Sequence, residues 1–239
     1  MMATRAVQTN GGEDGGSLVN RAIQAVRDHI RDHGMKVGDT LPGEGSFAAD
    51  LGVSRAVMRE AFGALAALRL IDVGNGRRAR VGAIDGSVMG ASLDHAVSTE
   101  QVSVADVWDV RRTLELRIAA LAAERRTDEQ AAHILSIAQA MADGQHDMAQ
   151  VTRQDIALHT AIAEAASNLL FAQIMRSFEP LMETAVPRAW ETRQTDTQRQ
   201  DILACHMDLA QAIARRDPAG AAAAIDRHFD TSIGQMLGS

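Results

Sequence analysis

The chain of 239 residues is 46% hydrophobic and 23% charged, a balance that suits one large or two modest folded domains and excludes a fibrous or disordered protein. Aromatic residues make up 3% with no tyrosine, which argues against nucleic-acid binding on stacking platforms, and the single Cys205 leaves no internal disulfide and fits a reducing cytoplasm. The net charge of −7 looks hostile to DNA, but up to Ala83 there are 11 Lys and Arg against 9 Asp and Glu, and beyond it 13 against 22. Such asymmetry hints at a nucleic-acid-binding half joined to a half with a different task.

Residues 1–16 are polar and glycine-rich, lack the apolar core of a signal peptide, and are expected to form a disordered tail. No run of about 18 apolar residues follows, so no membrane span is expected. Ser17 can cap a first helix with Leu18, Ala22, Ile23, Val26 and Ile30 at helical spacing, closed by Gly34. Gly38-Asp39 and Pro42-Gly43 signal turns, and Ser46 can cap a short helix over 47–51. Gly52 then supplies a tight turn and Ser54 an N-cap for a third helix. On that helix Met58, Ala61, Phe62, Leu65 and Leu68 share an apolar face, while Arg55 and Arg59, one turn apart, share another. A recognition helix presents such a surface to the major groove, where arginine pairs bidentately with guanine; an ordinary solvated surface helix can show the same pattern. After Leu68 come LIDV, GNG and RRARV, two short strands around a glycine turn carrying Arg77, Arg78 and Arg80. Three helices and a basic hairpin make a winged helix-turn-helix over 17–83, with Arg77 and Arg78 set along phosphates or the minor groove.

The stretch VGDTLPGEGSFAADLGVSRAVMREAFGAL with its GNGRRARV wing resembles the DNA-binding domain of the GntR family of bacterial transcription regulators. The resemblance implies that Ser54, Arg55 and Arg59 lie on the recognition helix and Gly76 at the wing tip. One position departs from the family pattern: Gly45 stands where members usually carry a DNA-contacting arginine.

Residues 84–102 read as a linker with room for a short helix, and 103–239 as an all-helical domain. Val107, Trp108, Leu114, Ile118 and Leu121 form the stripe of its first helix. Thr127 with Gln130 makes a capping box for a second, which ends at Asp143-Gly144. A third covers 147–166, a fourth runs from Leu169 past Pro180 with a kink there, a fifth covers 196–216, and Asp217-Pro218 opens the last. Six such helices suit an antiparallel bundle with ligand sites built from inward side chains. Asp155 and His159 share a face of the third helix at i and i+4; His206 and His228 lie beside apolar stripes of the fifth and last. One carboxylate and three imidazoles can hold a divalent transition metal, zinc first, with nickel or manganese as alternatives. The other reading is four unrelated side chains, since eight histidines are present.

DIALHTAIAEAASN, ACHMDLAQAIARRDPAGAAAAIDRHF and VRRTLELRIAALAAERRT resemble the helices of the FCD domain, the ligand-binding domain of the FadR subfamily of GntR regulators. The resemblance implies that Asp155, His159, His206 and His228 are metal ligands and that Arg111 lies near the effector. Leu158 stands where many members have an aromatic residue in the pocket wall.

The expectation is a mainly α protein, a winged helix-turn-helix followed by an FCD-like bundle. It would act as a cytoplasmic homodimeric repressor on a short pseudo-palindrome of double-stranded operator DNA, with no membrane partner. Four protein ligands leave two positions open on a six-coordinate metal, which a carboxylate with an adjacent hydroxyl can fill. The expected effector is therefore a sugar acid, a hydroxy acid or a dicarboxylate, with Arg111 neutralising a second charged group. The alternatives are a metal-sensing repressor and a metal-dependent hydrolase; the sequence offers the latter no evident general base near the cluster.

Overall fold

The computed structural model describes residues 12–236, and its contacts divide the chain into two units that meet in sequence at Val88–Met89. The first unit contains α1 (Gly12–Asp32), α2 (Glu44–Leu51), α3 (Arg55–Ala67) and an antiparallel pair, β1 (Ile71–Asp72) with β2 (Arg80–Val81). Both α1 and α2 pack against α3. Val26, Leu41, Phe47, Met58, Phe62, Leu65 and Ile71 fill the core between them. Gly52 closes α2 in the left-handed region at φ 66°, a conformation glycine adopts without a Cβ penalty. The Ser54 hydroxyl then caps α3 by accepting from the Val57 N–H at 3.2 Å. The wing is shorter than its sequence pattern. Only Ile71↔Val81 and Asp72↔Arg80 pair as strands, although Thr40 bridges Arg80 and the Leu41 N–H donates to the Ala79 carbonyl at 2.9 Å.

Three local expectations shift. The first helix opens at Gly12, so Ser17 lies inside it; glycine costs a helix only about 1 kcal/mol per residue and does not by itself stop one. The rest of the expected tail, 1–11, lies outside the described residues. The second helix opens at Glu44 with Gly43 as N-cap, because an acidic first turn complements the positive end of the helix dipole; Ser46 is interior. Leu68 follows the last turn of α3 and is half exposed, outside the buried face of Met58, Ala61, Phe62 and Leu65.

The expected linker is largely helical. Asp85 accepts from the Ser87 N–H at 3.0 Å and starts α4 (Ser87–Ser98), which carries the chain into the second unit. There Leu93 and Val97 pack on the bundle core, and Gly90 is buried where a Cβ would stand 3.1 Å from the Ser177 carbonyl oxygen. The remaining helices are α5 (Val104–Arg125), α6 (Asp128–Asp143), α7 (Met148–Ala165), α8 (Leu169–Ser177), α9 (Glu179–Glu191), α10 (Asp196–Ala214) and α11 (Pro218–Met236). Capping boxes at Ser103/Asp106, Thr127/Gln130 and Thr195/Gln198 fix the starts of α5, α6 and α10. The expected fourth helix is two. Proline has no N–H and its ring collides with the carbonyl four residues back, so Pro180 breaks the run at Phe178 and sits in the first turn of α9. Within the bundle α11 packs along α5 and α10, and α7 packs along α5 and α6.

Candidate functional site

In the first unit the residues expected at DNA are exposed and lightly held. Arg59 keeps 77% of its side chain in solvent, with Nε 3.9 Å from the Glu44 carboxylate. Arg55 lies across Gly45, where an added Cβ would stand 3.3 Å from its Nη2. Arg77 pairs with Asp72 at 2.8 Å, Arg78 is exposed without an ion pair among the described residues, and Gly76 takes φ 71° at the turn. Exposed ion pairs of this kind contribute little to stability, so these arginines can exchange their partners for phosphates or base edges at small cost.

In the second unit the chemistry is buried. The structure brings His159 of α7, His206 of α10 and His228 of α11 together, one nitrogen from each lying within 4.8 Å of the others. Asp155, one turn before His159, places Oδ1 3.3 Å from His206 Nε2, close but without the alignment of a hydrogen bond. His159 Nε2, both ring nitrogens of His206 and Nδ1 of His228 are buried with no partner. Buried imidazole nitrogens left unmade are costly, and one from each of the three rings, converging in one place, fits a divalent cation, which needs unprotonated donors. At His228 and Asp155 the electrostatics agree. Burial, with His206 and His159 nearby, pushes His228 well below the usual imidazole range. Burial opposes the charge of Asp155, but the contact with His206 and the neighbouring imidazoles outweigh it and hold the carboxyl far below its ordinary value.

One residue of the cluster escapes sequence reasoning. Glu115 of α5 is buried and hydrogen-bonds His159 Nδ1, while Arg111 donates to its other oxygen through Nε at 2.9 Å and keeps Nη2 in ion-pair contact with it at 2.8 Å. Burial again opposes the carboxylate, and Arg111 and His159 outweigh it, holding Glu115 below its normal range. Burial likewise works against a charged His159, and Glu115 overcomes it and raises that imidazole. A histidine whose Nδ1–H is fixed by a carboxylate presents Nε2 as the ligand atom, the usual support for a metal-binding imidazole. Trp108, Arg111, Glu115, Ile118 and Ala122 recur at three- and four-residue spacing on α5, and that stripe was the available signal. Arg111 is also committed elsewhere: its guanidinium stacks 4.7 Å over Trp108 and hydrogen-bonds the Met182 sulfur.

A cavity of about 30 Å³ adjoins the cluster, lined by Trp108, Arg111, Asp155, Arg193, His206 and His228 among others. Leu158 lies in the apolar core and is not one of its walls.

A helix-turn-helix with exposed arginines and a helical bundle with a buried ligand-type pocket define a DNA-binding regulator with a sensory domain. Residues 18–81 match the bacterial regulatory proteins of the gntR family, and residues 106–231, more than half of the chain, match the FCD domain. The chain belongs to the GntR family, in its FCD-bearing branch, and is a DNA-binding transcription regulator rather than an enzyme. It is 29% identical to the HTH-type transcriptional regulator LutR of Bacillus subtilis over 87% of this chain and 95% of the relative. It is 28% identical to the HTH-type transcriptional repressor NanR of Salmonella newport over 84% of this chain and 78% of the relative. The fold is shared with a Streptococcus agalactiae GntR structure at a TM-score of 0.64 and 23% identity, covering 92% of this chain and 99% of that one. No described helix is long and apolar enough to cross a membrane.

Proposed function

We propose that this regulator is a cytoplasmic homodimeric repressor whose helical domain binds a divalent metal and a small carboxylate effector, and that effector binding releases the operator. The observation that carries the reading is the convergence of one nitrogen from each of three buried histidines beside Asp155, next to a cavity. His159, His206, His228 and Asp155 would hold the metal, with zinc first and nickel or manganese as alternatives. The ion would supply a Lewis-acid anchor for a carboxylate; Glu115 keeps His159 in the ligating tautomer. In the winged helix, Arg55 and Arg59 read base edges in the major groove and Arg77 and Arg78 hold phosphates. Two copies related by a two-fold axis read a short pseudo-palindrome with half-sites one groove repeat apart, about 34 Å.

The regulator's two ligands communicate only if the effector favours one arrangement of the dimer over another. A coupling of about 1–3 kcal/mol is typical and releases an operator held near its dissociation constant. A second reading, in which the metal itself is the signal, is favoured by the histidine set, which converges on an ion without an acid to complete it. One experiment separates the two. Metal-free protein is bound to operator DNA, zinc is added, and then a panel of hydroxy acids, sugar acids and dicarboxylates. Release only after the acid supports the proposal; release on zinc alone supports metal sensing; retention throughout rejects both.

A further inference from the structure

Two arginines line the cavity beside the histidine cluster, and they stand in opposite conditions. Arg111 was expected to meet the effector's second charge, but Glu115 already occupies its Nε and Nη2. Arg193, in the turn after α9, is 5% exposed and has no carboxylate within ion-pair distance among the described residues. Its Nη1 donates to the Ala189 carbonyl at 2.5 Å, closing the end of α9, and its Nη2 reaches the Ser232 hydroxyl at 3.5 Å. A carbonyl and a distant hydroxyl give this buried guanidinium no direct ion pair; burial pushes it below its ordinary range, and Asp155, on the same cavity, opposes that only from a distance. Trp108 lines the same cavity, and its indole N–H is buried with no acceptor. Beside the imidazole nitrogens of His206 and His228, the unmade group of this wall is the Trp108 donor, and together with the Arg193 guanidinium it suits a ligand rich in oxygen acceptors.

Charge counting agrees. Around the cavity and its support, Arg111 and Arg193 balance Asp155 and Glu115. A divalent cation on neutral histidines then leaves two positive charges over, which one carboxylate does not cancel.

We propose that Arg193, with the Trp108 indole N–H, receives a second anionic group of the effector, so that this regulator answers to short diacids in preference to monoacids. The inference rests on the reading of the cluster as a metal and carboxylate site. It narrows that reading to one ligand class and moves the second-charge role from Arg111 to Arg193.

The test uses full-length zinc-loaded protein and two acids that share a hydroxy-carboxylate end, malate and lactate, titrated by calorimetry. Malate is expected to bind about 10- to 100-fold more tightly, the range of a charge-assisted hydrogen bond in a buried site. Arg193→Gln weakens malate at least tenfold more than lactate, so that the two acids bind alike. Arg193→Lys, which keeps the charge and loses the fork, falls between. A purely structural arginine predicts another pattern, in which Arg193→Gln lowers the melting temperature without ligand and weakens both acids alike. That pattern overturns the inference, as does equal binding of malate and lactate by the parent, a comparison that needs no variant to fold. If zinc-loaded parent binds neither acid, the reading of the site falls and this inference with it. If it binds lactate and does not discriminate, only the inference falls.

Discussion

The winged helix and the helical bundle hold their working side chains in opposite ways. On the DNA side Arg59 is 77% exposed, and its nearest counter-charge lies 3.9 Å off. In the bundle Arg111 and Glu115 retain 3% and 5% exposure, locked to each other and, through Glu115, to His159. Each arrangement follows from the ligand. A duplex is large and comes to the surface, so its readers must stay solvated and free to re-pair. A small ion or acid is gripped by taking it out of water, so its receptors must be buried and already satisfied by one another or by the ligand. Stability and function should accordingly be separable in the first unit and entangled in the second.

The sharpest way to break that contrast is Glu115→Ala. It strands a buried guanidinium and a buried imidazole at once, and removing one member of a buried charged group typically costs about 3–5 kcal/mol. Urea denaturation of metal-free protein measures the loss. A cost under about 1 kcal/mol would mean that the triad is not held as a unit.

Next in size is the metal. With zinc at about 100 times its dissociation constant the parent should gain about 2.7 kcal/mol, and His206→Ala or His228→Ala should gain none. His33, His95 and His146 are exposed, and their alanine variants should keep the full gain. Elemental analysis finding no zinc in reloaded parent protein removes the basis for the site.

The same contrast explains what could be read before the structure. Exposed DNA-facing residues are legible because turn, cap and helix signals are local: Gly52, Ser54 and the Arg55/Arg59 pair lie within eight residues. The four metal-type residues were legible because three histidines beside apolar stripes are conspicuous on helices. Glu115 was not, because an Arg and a Glu four apart ordinarily read as a solvent pair, and only packing of α7 and α11 against α5 buries them. Arg193 is less legible still. It stands in a polar turn, ETRQT, and nothing local marks it as buried. For 84–102 the sequence allowed a short helix within a linker; what it did not mark was the packing of 87–98 on the bundle, which depends on Gly90 meeting the Ser177 backbone, a contact distant in sequence.

On the DNA side, Arg59→Ala should change stability by less than about 0.5 kcal/mol and lower specific operator affinity by about 1–3 kcal/mol. Parental operator affinity in that variant would displace α3 as the reading helix. Arg78→Ala should weaken all sequences alike and reduce the slope of log affinity against log salt by about 1, as loss of a single phosphate contact does.

The smallest effect on the fold, and the most informative about the operator, is expected from Gly45→Arg. Gly45 is the second residue of α2, and the Arg55 guanidinium lies over the place its Cβ would fill, at 3.3 Å. That neighbour is the far end of a flexible side chain, so the helix need not move. An arginine is a better helix former than glycine by somewhat under 1 kcal/mol, and stability should hold or rise slightly. The consequence falls on Arg55, which must leave Gly45 and take a new direction across the DNA-facing surface. The variant should therefore gain one cation in its salt slope, about 1, and select a different base at the position Arg55 reads. Gly45→Ala isolates the Cβ contact from the added charge, and selection of operators from a randomised pool by both variants measures the outcome. If Gly45→Arg selects the parental operator, Arg55 is not held in register by the space that glycine leaves, and its reach to DNA is set by α3 alone.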